Sequence, residues 1–133
     1  MKQDNIILDK SFTFAIRIVK LYKFLCDEKK EYVLSKVANS DYEVNFPRKQ
    51  LLRSGASIGA NVNEAQAGES KADFIAKMAI ASKEARETKY WIDLLIKTDY
   101  LDINENHVQS LIKDIEEIIK LLTSIVKSSM ENK

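Results

Sequence analysis

The chain has 133 residues, enough for one domain and too few for two. Hydrophobic residues make up 45% and charged residues 31%, which excludes a disordered chain. The 21 basic and 20 acidic side chains leave a net charge of +1, so bulk charge announces no strongly basic nucleic-acid binder. Three Gly and one Pro exclude a sheet protein built on many tight turns. A single Cys excludes an internal disulfide and a Cys-based zinc site; a single His excludes a paired-histidine metal motif. The longest stretch without a charge, Ser54 to Asn63, is dotted with Ser and Asn and too short to span a membrane. Met1-Lys2-Gln3-Asp4 opens no signal peptide, so the expected location is cytoplasmic.

In chain order, residues 1–8 read as a short tail. Asp9 can cap a first helix over about 9–37. Phe12, Ile16, Val19 and Tyr22 form one apolar row on it, and Phe14, Ile18, Leu21 and Leu25 form a second beside it. Two rows are more than one helical partner can cover, which predicts burial against another subunit as well. Residues 38–47 read as an inserted loop, because Asn39-Ser40-Asp41 is turn chemistry and Pro47 disfavours helix at the residue before it. A second helix is expected over 48–67 with Gly68 as its stop. Ser70-Lys71-Ala72-Asp73 has the spacing of a capping box and opens a third helix over 71–98. Asp102 or Asn104 can cap a fourth helix over 104–128, whose Val108, Leu111, Ile115, Ile118, Leu122 and Ile125 make the most regular stripe in the chain. The expected architecture for 1–133 is a single all-α domain: an antiparallel up-and-down four-helix bundle.

The second helix is unusual for a bundle. Gly55 and Gly59 lie four apart in its interior, where each glycine costs about 1 kcal/mol relative to Ala. Close approach of another helix offsets that cost. A polar row shares this helix: Ser54, Ser57, Asn61 and Glu64 fall on one face, and Glu84 and Glu87 of the third helix have matching spacing. Buried polar groups must be paired, so these six are expected to form a hydrogen-bond network between the two helices. Neither a metal nor any other cofactor is expected, since no Glu-x-x-His pair exists. No nucleophile–base pair is spelled out either, so the chain is not expected to be an enzyme.

The stretch Leu51-Leu52-Arg53-Ser54-Gly55-Ala56-Ser57-Ile58-Gly59-Ala60-Asn61-Val62-Asn63-Glu64-Ala65 resembles the signature of the four helix bundle protein family, also called 23S ribosomal RNA intervening-sequence proteins. Phe14-Ala15-Ile16-Arg17-Ile18-Val19, Asp73-Phe74-Ile75, Lys83-Glu84-Ala85-Arg86-Glu87-Thr88 and Tyr90-Trp91 follow in the family's order. Such proteins are similar to the accessory subunit of diversity-generating retroelements. That resemblance implies a ring-like homo-oligomer, a pentamer, with a basic surface that binds RNA or DNA and a reverse transcriptase. One departure is the segment around 37–49, which resembles an insertion relative to the family and carries Asp41 and Glu43.

Two functions follow as expectations. The first is a weak nucleic-acid binding module, carried by Arg17, Lys20, Lys23 and Arg53 repeated around the oligomer. Residues 1–38 hold eight basic and five acidic side chains, a local excess that favours a patch there. The second is a structural or protein-scaffolding oligomer with no nucleic-acid role, supported by the wide apolar face of the first helix.

Overall fold

In a computed structural model of the chain, four helices follow one another: α1 (Lys2–Leu34), α2 (Asn39–Gln66), α3 (Lys71–Lys97) and α4 (Asn106–Glu131). The structure describes the backbone of residues 2–34 and 39–131, and the side chains of residues 6–27 and 46–131. The described residues contain no strand, so the fold is all-α. α1 packs on α2 and α4, and α3 packs on the same two helices. No helix among the described residues is long and apolar enough to cross a membrane.

The core follows from the sequence stripes. Phe14, Ile18 and Leu25 of α1 meet Leu51, Ile58 and Val62 of α2, Met78, Ile92 and Leu95 of α3, and Ile115, Ile118 and Leu122 of α4. All of these are essentially inaccessible to water. Burying a side chain of this size contributes roughly 1.5–3 kcal/mol, so the stripes dominate the choice of fold. The other expected row of α1 stays outside: Phe12 is 66% exposed, Ile16 41% and Val19 44%.

Helix boundaries differ from the expectation at the starts of α1, α2 and α4, and α4 also runs on to Glu131 rather than ending at 128. α1 begins at Lys2 rather than Asp9, so residues 2–8 are helical and not a tail. Ile7, fully buried in the core, gives that extra turn something to pack against. α2 begins at Asn39 rather than Arg48 and carries Pro47 within it, so residues 39–47 are not a loop. A proline inside a helix loses one backbone hydrogen bond and costs about 3 kcal/mol. Tertiary contacts on both sides of Pro47 offset that loss. Phe46 sets its ring edge-on to Trp91 of α3, with centroids 6.0 Å apart. Arg48 is buried, and its Nη1 donates to the carbonyl of Leu25 at 2.9 Å. The side chains of Asp41 and Glu43 and the backbone of residues 35–38 lie outside the described residues. Finally, α4 begins at Asn106, and Glu105 supplies the carbonyl for its first bonds, so neither Asp102 nor Asn104 is the cap. Asp102 instead accepts from the Asn104 backbone N–H at 2.9 Å, tightening the preceding turn.

The ends of α3 follow local chemistry. Ser70 caps its start, its Oγ accepting from the Asp73 backbone N–H at 3.1 Å. At its end Asp99 takes φ 68°, and Tyr100 and Asp99 donate back to Leu95 and Ile96. This is the Schellman closure with Asp in the place usually held by Gly. Gly68, by contrast, has no positive φ. The chain leaves α2 through bonds from Ala67 to Glu64 and from Gly68 to Ala65.

Gly55 and Gly59 face α1. A Cβ on Gly55 would lie 2.9 Å from both Cγ atoms of Ile18, and a Cβ on Gly59 would lie 3.2 Å from the carbonyl oxygen of Ser11. The α2 backbone therefore packs directly on the Ile18 side chain at Gly55 and on the α1 backbone at Gly59. Gly55→Ala is expected to destabilise the fold, because overpacking costs about 1–3 kcal/mol against a gain of about 1 kcal/mol in helix propensity. Adding Ile18→Ala should cost less than the sum of the two single changes. Urea denaturation checks this, and a Gly55→Ala variant more stable than wild type contradicts it.

Candidate functional site

Two arginines bind the outer helices to their neighbours. Arg17 of α1 pairs with Asp114 of α4, and also donates to Ser110 Oγ at 3.2 Å and to the His107 carbonyl at 3.1 Å. Arg53 of α2 reaches α3. Its Nη1 donates to both oxygens of Glu84, at 2.9 and 3.2 Å, its Nη2 pairs with Glu87, and its Nε donates to Gln50 at 3.1 Å. Trp91 completes the cluster, its Nε1 donating to Glu87 at 2.9 Å. Charge-assisted pairs of this kind are roughly twice as strong as neutral hydrogen bonds.

Arg53, expected from the sequence to meet nucleic acid, instead joins Glu84 and Glu87 of the expected network. Arg53 presents a planar fork, and Glu84 and Glu87, three apart on α3, fall on the same face to receive it. Glu84 has only 9% of its side chain exposed, so its carboxylate depends on Arg53 for a partner. Beneath the ion pairs lies a second link between the same helices. The hydroxyls of Ser54 and Thr88, both fully buried, meet at 2.9 Å, and Thr88 also contacts the Glu84 carbonyl.

Ser57 and Asn61 of the expected polar row do not cross to α3. Asn61 donates to the Ser57 carbonyl at 2.9 Å and to Ser57 Oγ at 3.1 Å, all within α2. A short amide one turn along finds its own helix before it finds a neighbour. Glu64 does reach α3, its exposed carboxylate pairing with Lys77 at 3.0 Å, apart from the Arg53 cluster. The main cluster is therefore Arg53, Ser54, Glu84, Glu87, Thr88 and Trp91; Glu64 makes a separate α2–α3 link through Lys77, and Ser57 and Asn61 bond only within α2.

The four expected nucleic-acid contacts also separate. Arg17 and Arg53 are held in ion pairs within the chain. Lys20 and Lys23 are exposed and form no ion pair among the described residues. Asp114, Ser110 and Gln50 were missed by sequence reasoning. Gln50 sits three residues before Arg53 and is visible from helical spacing, but nothing local marks Asp114 or Ser110 as partners of a residue some ninety positions earlier. Arg48 is a buried structural cation.

The carboxyl of Glu87 is held below the usual glutamate range, first by the Trp91 N–H and then by Arg53. A carboxylate depressed in the folded state adds stability above its unfolded pKa, and that contribution is lost as pH falls through the folded value. Thermal stability should therefore decline below the ordinary glutamate range of about 4.3, and Trp91→Phe should make the decline shallower. Arg53→Ala should cost about 1–3 kcal/mol by leaving Glu84 without its partner, and adding Glu84→Gln should restore part of the loss. Melting curves from pH 7 downward check both statements. An Arg53→Ala protein that melts with wild type contradicts the network's role.

The comparisons with known proteins agree with this architecture. A solved protein of unknown function from the S23 ribosomal protein family of Bacteroides thetaiotaomicron is 48% identical, with a TM-score of 0.77 over 94% of this chain and 98% of its own. No curated protein matches the chain. Residues 3–124 match the family described as 23S rRNA-intervening sequence protein, and the chain belongs to that family.

Proposed function

We propose that the chain is a non-enzymatic scaffold: an antiparallel up-and-down four-helix bundle that assembles through α1 and α2 into a closed homo-oligomer. Opposed chain directions are supported by the cross-helix pairs. Lys10 meets Glu117 while Arg17 meets Asp114, and Gly59 lies on Ser11 while Gly55 lies on Ile18. A non-enzymatic role is supported by the state of the best acid–base candidates. Glu84 and Glu87 are already held by Arg53 and Trp91.

One observation carries the oligomer. Phe12, Ile16 and Val19 stand exposed at i, i+4 and i+7 on α1. Beside them runs a trough of about 480 Å³ between α1 and α2, floored by Ala56, Gly59 and Ala60. A row of projecting apolar side chains next to a strip of small residues is complementary to a second copy of itself. Five copies are the number implied by the family resemblance. Light scattering at micromolar concentration should give about five times 15.2 kDa, and Phe12→Asp should give a helical monomer. A wild-type monomer contradicts the reading.

A second reading, weak binding of RNA or DNA, is favoured by Lys20 and Lys23, which are exposed and form no ion pair among the described residues. Arg17 and Arg53 would have to leave their carboxylates to join them. The expected binding is non-specific and falls with salt, with a slope of about −0.9 per phosphate neutralised on duplex DNA. Lys20→Glu with Lys23→Glu should flatten that slope in an anisotropy titration. Absence of binding at low salt leaves the scaffold as the function.

A further inference from the structure

On the opposite side of the fold from that trough, α3 and α4 enclose a groove of about 620 Å³. Its floor is mostly apolar, with Ala79, Val126 and Met130, the last 54% exposed. Its rim carries three cations, Lys83, Arg86 and Lys127, and one carboxylate, Glu131. Lys10, Arg17, Arg53, Lys77 and Lys89 sit in ion pairs elsewhere on the surface. Lys83, Arg86 and Lys127 form none among the described residues. Arg86 is instead pinned over the seam by a 3.0 Å bond from its Nη2 to Thr123 Oγ1, and the charge of Lys83 reaches Glu87.

We propose that this groove is a docking site for an acidic amphipathic helix of a partner protein. An apolar floor flanked by unpaired cations is complementary to a helix that carries leucine-like side chains at i, i+3 or i+4 and i+7, with Asp or Glu on either side. The apolar stripe covers Val126 and Met130, and methionine adapts its shape to such side chains. The flanking carboxylates meet Lys83, Arg86 and Lys127, which steers association and fixes orientation. A nucleic-acid backbone offers phosphates to the rim but nothing to cover the floor. The site lies on α3 and α4, so it is independent of the assembly surface on α1 and α2.

The test uses a labelled synthetic helix of roughly four turns, with Leu at the stripe positions and Glu beside them. A twin with Lys for Glu and a short RNA duplex serve as controls. The Glu peptide should bind at low salt and shift the backbone amides of residues 79–86 and 123–131. Lys83→Glu with Lys127→Glu should weaken it at least about tenfold, and Met130→Gln should weaken it without changing the charge. Both variants alter exposed side chains, and their melting curves confirm folding. The proposal is overturned if the Glu peptide fails to bind, if the Lys twin binds equally, or if the shifts fall on α1 and α2. It is also overturned if the variants bind as wild type does, or if the RNA duplex displaces the peptide from the same residues.

Discussion

The contact between α1 and α2 sets the dimensions of everything else. Gly55 rests on Ile18 and Gly59 on the backbone of Ser11, at distances that leave no space for a methyl group without movement. Helices this close bury backbone against backbone and gain dispersion along their whole length. With that spacing fixed, the carbonyl of Leu25 comes within reach of Arg48, and Ser54 turns to the far side of α2 to meet Thr88. The arginine next to Ser54 then reaches out of the core to Glu84 and Glu87. One helix made of small residues thus holds one neighbour by shape and the other by hydrogen bonds.

The same arrangement explains the distribution of charge. Arg17 and Arg53 are both the right type of residue for phosphate recognition, yet each is committed to carboxylates on an adjacent helix. Their role in the folded chain is to fix the register of α1 on α4 and of α2 on α3. Cations that form no ion pair among the described residues include Lys20 and Lys23 on α1 and the trio around the α3–α4 groove. The two apolar surfaces of the fold differ in chemistry. The α1–α2 trough is floored by small residues, while the α3–α4 groove is rimmed by positive charge.

Much of this was legible in the residues, for identifiable reasons. The stripes of α3 and α4 have the helical period without interruption, and Ser70 caps α3 as its spacing requires. Gly55 and Gly59 announced a close crossing because two interior glycines need an offsetting gain. The start of α2 was not legible. Pro47 argues for a boundary on local grounds, and the contacts that outweigh it, Phe46 on Trp91 and Arg48 on Leu25, come from residues more than twenty positions away. The polar row was half legible. Helical spacing placed Ser54, Glu84 and Glu87 in an α2–α3 network but did not show that Arg53 would join it, that Asn61 would satisfy itself within α2, or that Glu64 would cross to Lys77 instead. Side chains that find partners one turn away carry no signal of which neighbour they face. The commitment of Arg17 to Asp114 was hidden for a similar reason, since only the fold brings them together.

Native-state hydrogen exchange tests the central claim most directly. If the glycine-mediated crossing organises the fold, the amides of residues 11–18 and 54–62 open only when the whole chain unfolds, and their exchange free energies equal the global stability. Exchange of those amides by local opening, at free energies well below those of α3 and α4, would contradict the account.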